Sequence, residues 1–415
     1  MPLLFDEIPR SYLGPSSQAE SHFYFYNRSA LPASGRLRDM LQRWVDRLPE
    51  SKQKDIVNRI RHTGMGSRQN DRSFDSAFFE LALHEFLRGT RAEVEVEPNV
   101  AGRTPDFYAA GANETGFIRE YYVEALDVST ADNTELEVSW IEKSCEDALN
   151  EIESPDFYLQ VETSGALESM PRKKDLKAPF ERLLGEVDYD AVWAQYEDGV
   201  NWHDLPGATF QHGNWELTGQ LLPVSPDRRP KNSGSRFVGV GFFGAAGMLD
   251  DIGKPKDRLY EKAKRYKDIP NLIIAVRADD WGIRMDEVLF GTQTYTVYVN
   301  QDPRDTSPVP EPRSSRARDG FWCNSTGPQN QHIIGVLQFN TLYPHCVHKA
   351  QATFFANPYV DASLPSWTKA IRHAEYEDGQ IAMVDGVPPS AYMEDYVAID
   401  DLFEGTPLSR AANNP

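Results

Sequence analysis

The stretch from residue 73 to residue 88 constrains the fold more than any other part of the chain. Phe74, Phe78, Phe79, Leu81, Leu83, Phe86 and Leu87 sit in it at helical spacing, yet they cover most of the circumference. A surface helix carries a single apolar stripe, so a helix apolar on nearly every side must be enclosed by other elements. Ser73 fits an N-cap and Gly89 a stop. The next segments are β-prone. Residues 91–98 alternate charged and apolar side chains, as a half-buried strand does, and end at Pro98. The runs 104–108 and 121–126, joined by the polar, Gly-containing segment 110–116, read as a hairpin. A helix over 134–152 and a strand over 157–161 extend the order to helix, three strands, helix, strand.

At 415 residues the chain is too long for one ordinary core, so more than one lobe is expected. Residues 1–35 read as an irregular arm with an aromatic patch at Phe23, Tyr24, Phe25 and Tyr26, and 37–61 as a helical pair broken near Pro49. Residues 172–197 are helical and acidic, and a second hairpin pairs 208–211 with 215–222. A strand at 236–240, a helix at 256–267 and the continuous apolar strand 271–276 come next. An apolar run of that kind belongs in the middle of a sheet. Residues 294–299 and 333–339 are further strands, 302–319 a Pro/Ser/Arg-rich loop, and the chain after 360 reads as loosely structured. The expected class is α/β: a mixed sheet flanked by helices, with a helical N-terminal region and a β-containing insertion. The corresponding divisions are 1–70 for the arm and first helices, 71–165 for the first part of the core and 166–235 for the insertion. The core continues over 236–300, and 301–415 forms a C-terminal region with an acidic tail.

The net charge of −20 argues against a general nucleic-acid coat protein, but the charge is uneven. Residues 225–267 hold eleven Lys and Arg against five acids, whereas 374–404 hold nine acids and no Lys or Arg. The basic stretch is a candidate phosphate-facing surface. No apolar run reaches membrane-spanning length, so no membrane partner is expected. The N-terminus lacks a basic segment followed by a long apolar one. Cys145, Cys323 and Cys346 are scattered and show no metal-ligand spacing. Both features fit a reducing, cytoplasmic setting.

Asp106 and Glu124 fall on the two arms of the hairpin. Neighbouring carboxylates repel, and one pKa rises unless a cation is shared. Two strand carboxylates with a helix acid form a Mg²⁺ site of the kind that serves phosphodiester cleavage.

The order of these elements and three short motifs resemble the restriction-endonuclease-like, or PD-(D/E)XK, nuclease superfamily. The motifs are Phe78-Phe79-Glu80-Leu81 on the helix, Pro105-Asp106 on the first arm and Val123-Glu124-Ala125-Leu126 on the second. The resemblance covers residues 73–128 and extends to the helix and strand within 256–277. It implies a Mg²⁺- or Mn²⁺-dependent endonuclease acting on DNA, with contacts through residues 225–267. Asp106, Glu124 and the Ala125 carbonyl would hold the metal and Glu80 would be an auxiliary acid, with Glu85 the alternative. The resemblance further implies a setting in bacterial restriction, repair or phage defence. The sequence departs from the family where a lysine is usual, two residues after the strand glutamate, because Leu126 stands there. Lys262 is the candidate replacement, sharing a helix face with Tyr266 by i, i+4 spacing. If the lysine is lost rather than moved, the chain is an inactive nuclease-fold module that binds nucleic acid or a protein partner.

Each residue also has a plain structural role open to it. Asp106 can satisfy its own turn, Glu124 can pair with Arg103 or Arg119, and Lys262 and Lys264 can be solvated. Gly239, Gly241 and Gly244 match a dinucleotide-binding spacing, but the helix such a loop must open is delayed to residue 256. His345 and His348 form a close pair without the further ligands zinc requires. Trp215, Trp281 and Trp322 read as core anchors.

Overall fold

The structure is a computed structural model. It describes all residues except 1, 15, 18, 63–70, 113–114, 129–132, 230–236, 243–251, 279–282, 297–310, 312, 378–379 and 395–415.

The helices are α1 (His22–Arg28), α2 (Pro32–Asp46), α3 (Glu50–Arg61), α4 (Arg72–Gly89), α5 (Asn133–Asn150), α6 (Lys173–Glu186), α7 (Tyr189–Glu197), α8 (Gly253–Arg265), α9 (Met285–Phe290) and α10 (Trp367–Ala370). The first strands are β1 (Glu93–Val96), β2 (Phe107–Ala112), β3 (Ile118–Val128), β4 (Phe157–Ser164), β5 (Gly207–His212), β6 (Trp215–Pro223), β7 (Val238–Phe242) and β8 (Leu272–Ala278). After them come β9 (Gln293–Thr296), β10 (Arg313–Arg316), β11 (Cys323–Asn324), β12 (Gly327–Pro328), β13 (Ile333–Asn340), β14 (Gln351–Ala356), β15 (Arg372–Glu377) and β16 (Gln380–Val384).

An eight-stranded mixed sheet runs β1-β2-β3-β8-β13-β14-β15-β16. β1, β2 and β3 form an antiparallel meander, while β3, β8 and β13 are mutually parallel. The apolar run of β8 is explained by its place between two parallel neighbours with both faces covered. Ile273 and Ala275 point into the layer of α2, α3 and α4; Ile274 and Val276 point into the layer of α8 and α9. Helix α4 is enclosed as its sequence requires. Phe86 alone meets Phe339, Trp367 and Tyr392 edge-on, tying it to β13, α10 and the end of the described chain. Burying one such ring contributes about 1.5–3 kcal/mol.

A second sheet, β5-β6-β4-β7, packs with α5, α6 and α7 around its own core of Leu159, Trp215, Leu217 and Phe180. It lies in the chain between β3 and β8. The strand expected at 157–161 in the main core, and the strand expected to restart that core near 236, both belong here as β4 and β7. The reason is that β3 pairs directly with β8, leaving no edge for either beside it.

Other expectations also change. Ser73 does not cap α4; Asp71 precedes the helix, and the Ser73 hydroxyl donates to the Arg59 carbonyl at 2.9 Å. The aromatic patch of the arm is helical, capped by Ser21. The region after 360 is not loose as far as residue 394, since α10 packs on the core and β15 and β16 extend the sheet. Its alternation is short and polar, so the sequence signal is weak. The end of the acidic tail, Trp281 and the second half of the Gly-rich loop lie outside the described residues. Among the described residues no helix is long and apolar enough to cross a membrane.

Candidate functional site

The β2–β3 register pairs Phe107 with Val123, which sets Asp106 beside Glu124 one position on. Asp106 is held on both sides. Its carbonyl accepts from the Glu97 amide at 2.9 Å, and its side-chain Oδ2 accepts from the Ala125 amide at 2.7 Å. Alternation along β3 sends Tyr121 and Val123 into the α4 layer and Glu124, Leu126 and Val128 toward α8.

Helix α8 supplies a cation there. Lys262 Nζ donates to Glu124 Oε1, a contact joining residues 138 positions apart. Glu124 is 2 % exposed, and its other oxygen, Oε2, is buried with no hydrogen-bond partner. One turn beyond Lys262, the buried Tyr266 hydroxyl donates to the Thr104 carbonyl at 3.2 Å. Burial raises the Tyr266 pKa, and the adjacent Glu124 charge raises it further. Lys264, by contrast, is exposed. Arg103 and Arg119 are exposed as well. Leu126 fills the α8 core, so a lysine in its place would have to leave that packing to reach the carboxylates.

Electrostatics marks the same spot. The Asp106 carboxyl is pushed up to about 7, first by burial, then by the charges of Glu124 and Glu80; the Ala125 amide and Lys262 oppose this only in part.

Glu80 is close enough to act on Asp106, but it is already ion-paired. Lys52 Nζ lies 2.9 Å from its Oε2 and Arg59 Nη2 lies 2.8 Å from its Oε1. Lys52 also donates to Glu97 at 2.7 Å. The role expected of Glu80, orienting a metal shell, therefore requires an acid already engaged by two cations. Glu85, the alternative, is buried between Arg47, Arg88 and His84 and faces away into structural ion pairs.

Among the described residues no three His, Cys, Asp or Glu side chains gather as a metal-holding group. The candidate centre is accordingly a two-carboxylate one. Its donors are carboxylate oxygens, the type a hard divalent cation prefers. The unpartnered Glu124 Oε2, and the Asp106 pKa raised first by burial and then by the neighbouring carboxylates, are both features that a shared cation relieves.

A second polar cluster, around the buried Arg277, has no counterpart in the expected sites. Arg277 near the end of β8 reaches Asp127 Oδ1 at 3.1 Å and Asp75 Oδ2 at 3.3 Å, and His22 Nδ1 lies 3.5 Å from Asp75 Oδ1. Burial opposes a charged His22, yet Asp75 and Asp71 raise its pKa on balance. The one sequence signal was a charged residue closing an apolar strand. The basic stretch is divided: Arg229 pairs with Asp156 at 2.7 Å beside the second sheet, while Lys254, Lys256 and Arg258 lie on α8. Gly239 and Gly241 lie in β7, and α8 opens only at Gly253, so the glycines do not open a helix.

Comparison with known protein families, curated proteins and solved structures gives no match to this chain.

Proposed function

We propose that this chain is a Mg²⁺-dependent nuclease that hydrolyses DNA phosphodiesters, built on a restriction-endonuclease-like core of α4, β1–β3, α8 and β8. The observation that carries this reading is the contact of Lys262 with Glu124 beside Asp106. The buried Glu124, the half-buried Asp106 and a lysine from a distant helix meet on one sheet face, where the sequence left the usual lysine position to Leu126.

In this reading Asp106, Glu124 Oε2 and the Ala125 carbonyl would hold the metal, which supplies Lewis-acid polarisation of the phosphate and a lowered pKa for attacking water. The protein's own groups do the rest. The Ala125 amide fixes one Asp106 oxygen and leaves the other for binding. Lys262 clamps Glu124 and presents further N–H donors that can orient a water for in-line attack. Tyr266 walls the site and is tied to the Thr104 carbonyl, which fixes the segment entering Pro105 and Asp106.

The test is cleavage of supercoiled and single-stranded DNA with Mg²⁺ or Mn²⁺ by the wild type, Asp106→Ala, Glu124→Ala and Lys262→Ala. Metal-dependent cleavage lost in all three variants is expected. Equal behaviour of wild type and variants under every metal defeats the proposal.

A further inference from the structure

The sheet face that carries Glu124 also forms a cleft of about 400 Å³ farther across, over β13 and β14. Gln338 pairs in register with Thr353 on one side and, through Val276, with Leu126 on the other, so the cleft and the acid pair share a face but not a wall. Gln338 and Thr353 are buried polar side chains in the cleft floor, joined by Asn340. The Gln338 Nε2 donates to Asn340 Oδ1 at 3.0 Å. That leaves the pair one amide carbonyl to accept with and one amide group to donate with.

The rim is basic. Arg284, Arg316 and Arg372 line it, and Asp286 is the one acid among its described lining residues. Low-dielectric walls concentrate the field of such a cleft, and Arg284 is paired with Glu287 Oε1 at 3.0 Å. Arg316 is fixed by Asp286 Oδ2 at 2.9 Å and the Gly291 carbonyl at 3.0 Å. Arg372 has no comparable match. Its Nε is buried without a hydrogen-bond partner, and its ion-pair contact is Asp385 at 3.7 Å, a side chain 99 % exposed. Phe355, Met285 and Ile381 supply an apolar wall.

We infer that this cleft binds a nucleotide, as a free nucleoside phosphate or as one unit of a strand. Guanidinium groups take phosphate oxygens in paired hydrogen bonds. The apolar wall suits a flat ring, and the Gln338/Asn340 pair offers both the donor and the acceptor that a base edge requires and a simple anion does not. The volume lies in the usual range for small-ligand sites. The inference stands whether or not Asp106 and Glu124 cleave DNA.

Calorimetric titration in EDTA tests it with AMP, GMP, CMP and UMP, a ten-residue oligothymidylate and inorganic phosphate. Arg372→Ala and Gln338→Leu serve as variants, checked for wild-type circular dichroism. Saturable binding of a mononucleotide is expected, weakened about tenfold or more by each substitution, the loss that comes from removing a hydrogen bond to a charged group or a base edge. Binding of the oligonucleotide alone, with the same sensitivity, supports the inference and assigns the nucleotide to a strand. No saturable binding of either up to about 1 mM, the weak end of specific affinity, overturns it. So does binding indifferent to both substitutions, or inorganic phosphate binding as tightly as the best nucleotide.

Discussion

Asp106→Asn should stabilise the protein in the absence of divalent metal, although it removes the residue on which the proposed activity depends. Asp106 moves from an ordinary 3.8 up to about 7 on folding. The folded state therefore holds this proton more tightly than the unfolded state does, and stability falls as pH rises between those two values. Below about 4 the group contributes nothing; above about 7 the full penalty applies. The rise from 3.8 to about 7 corresponds to about 4 kcal/mol, an upper bound because neighbouring groups relax. Asparagine keeps an oxygen for the Ala125 amide and carries no charge against Glu124. Urea melts in EDTA at about pH 8 should show Asp106→Asn more stable by 1–4 kcal/mol, roughly, with the gap closing toward about pH 4. Added Mg²⁺ should stabilise wild type and not the variant, because only a binding-competent folded state gains from ligand. If the variant is no more stable at the alkaline end, or the gap fails to shrink in acid, the argument from burial and repulsion of the Asp106 charge is wrong.

Other outcomes rest on the same geometry. Lys262→Ala leaves the Glu124 carboxylate buried without its counter-charge and should cost about 2–4 kcal/mol; adding Glu124→Gln should recover much of this in chemical melts. Arg277→Ala strips the shared cation from Asp75 and Asp127 and should cost about 3–5 kcal/mol, while Lys264→Ala on the exposed face of α8 should change stability by less than about 0.5 kcal/mol. Phe86→Ala should cost about 3–5 kcal/mol, measured by calorimetry, since its ring meets Phe339, Trp367 and Tyr392. A loss below about 1 kcal/mol there would show that α10 is not part of the core.

The sequence spoke clearly where one short segment contains its own reason. Helix α4 was legible because its apolar residues leave no solvent side, and β8 because both its faces are apolar. The Asp106/Glu124 hairpin was legible because its turn is local. Partnership across long separations was not. Nothing within β4 or β7 says that they pair with each other rather than with β3. Likewise Lys52 and Arg59 carry no mark of their contact with Glu80, which only the packing of α3 on α4 creates. Leu126 illustrates the opposite case. Its apolar character looked like a defect in a motif, and in the structure it is a core residue whose neighbour on α8 brings the lysine.

The insertion of a whole second sheet between β3 and β8 bears on how fast the chain can find its fold. Arg277 and Asp127, on these adjacent strands, are 150 positions apart. Joining them directly means closing a very long loop, and such closures slow folding. The insertion, however, is tied near its own ends: the Val238 amide donates to Asn150 Oδ1 at 2.9 Å across 88 positions. If that unit forms first, the loop left to close shrinks to about 62 residues, and the entropic barrier drops by about 0.8 kcal/mol, roughly a fourfold gain in rate. The second sheet then acts as a kinetic clasp for the first. Pulse-labelling hydrogen exchange should find β4 and β6 protected before β3 and β8, and simultaneous protection would remove that role.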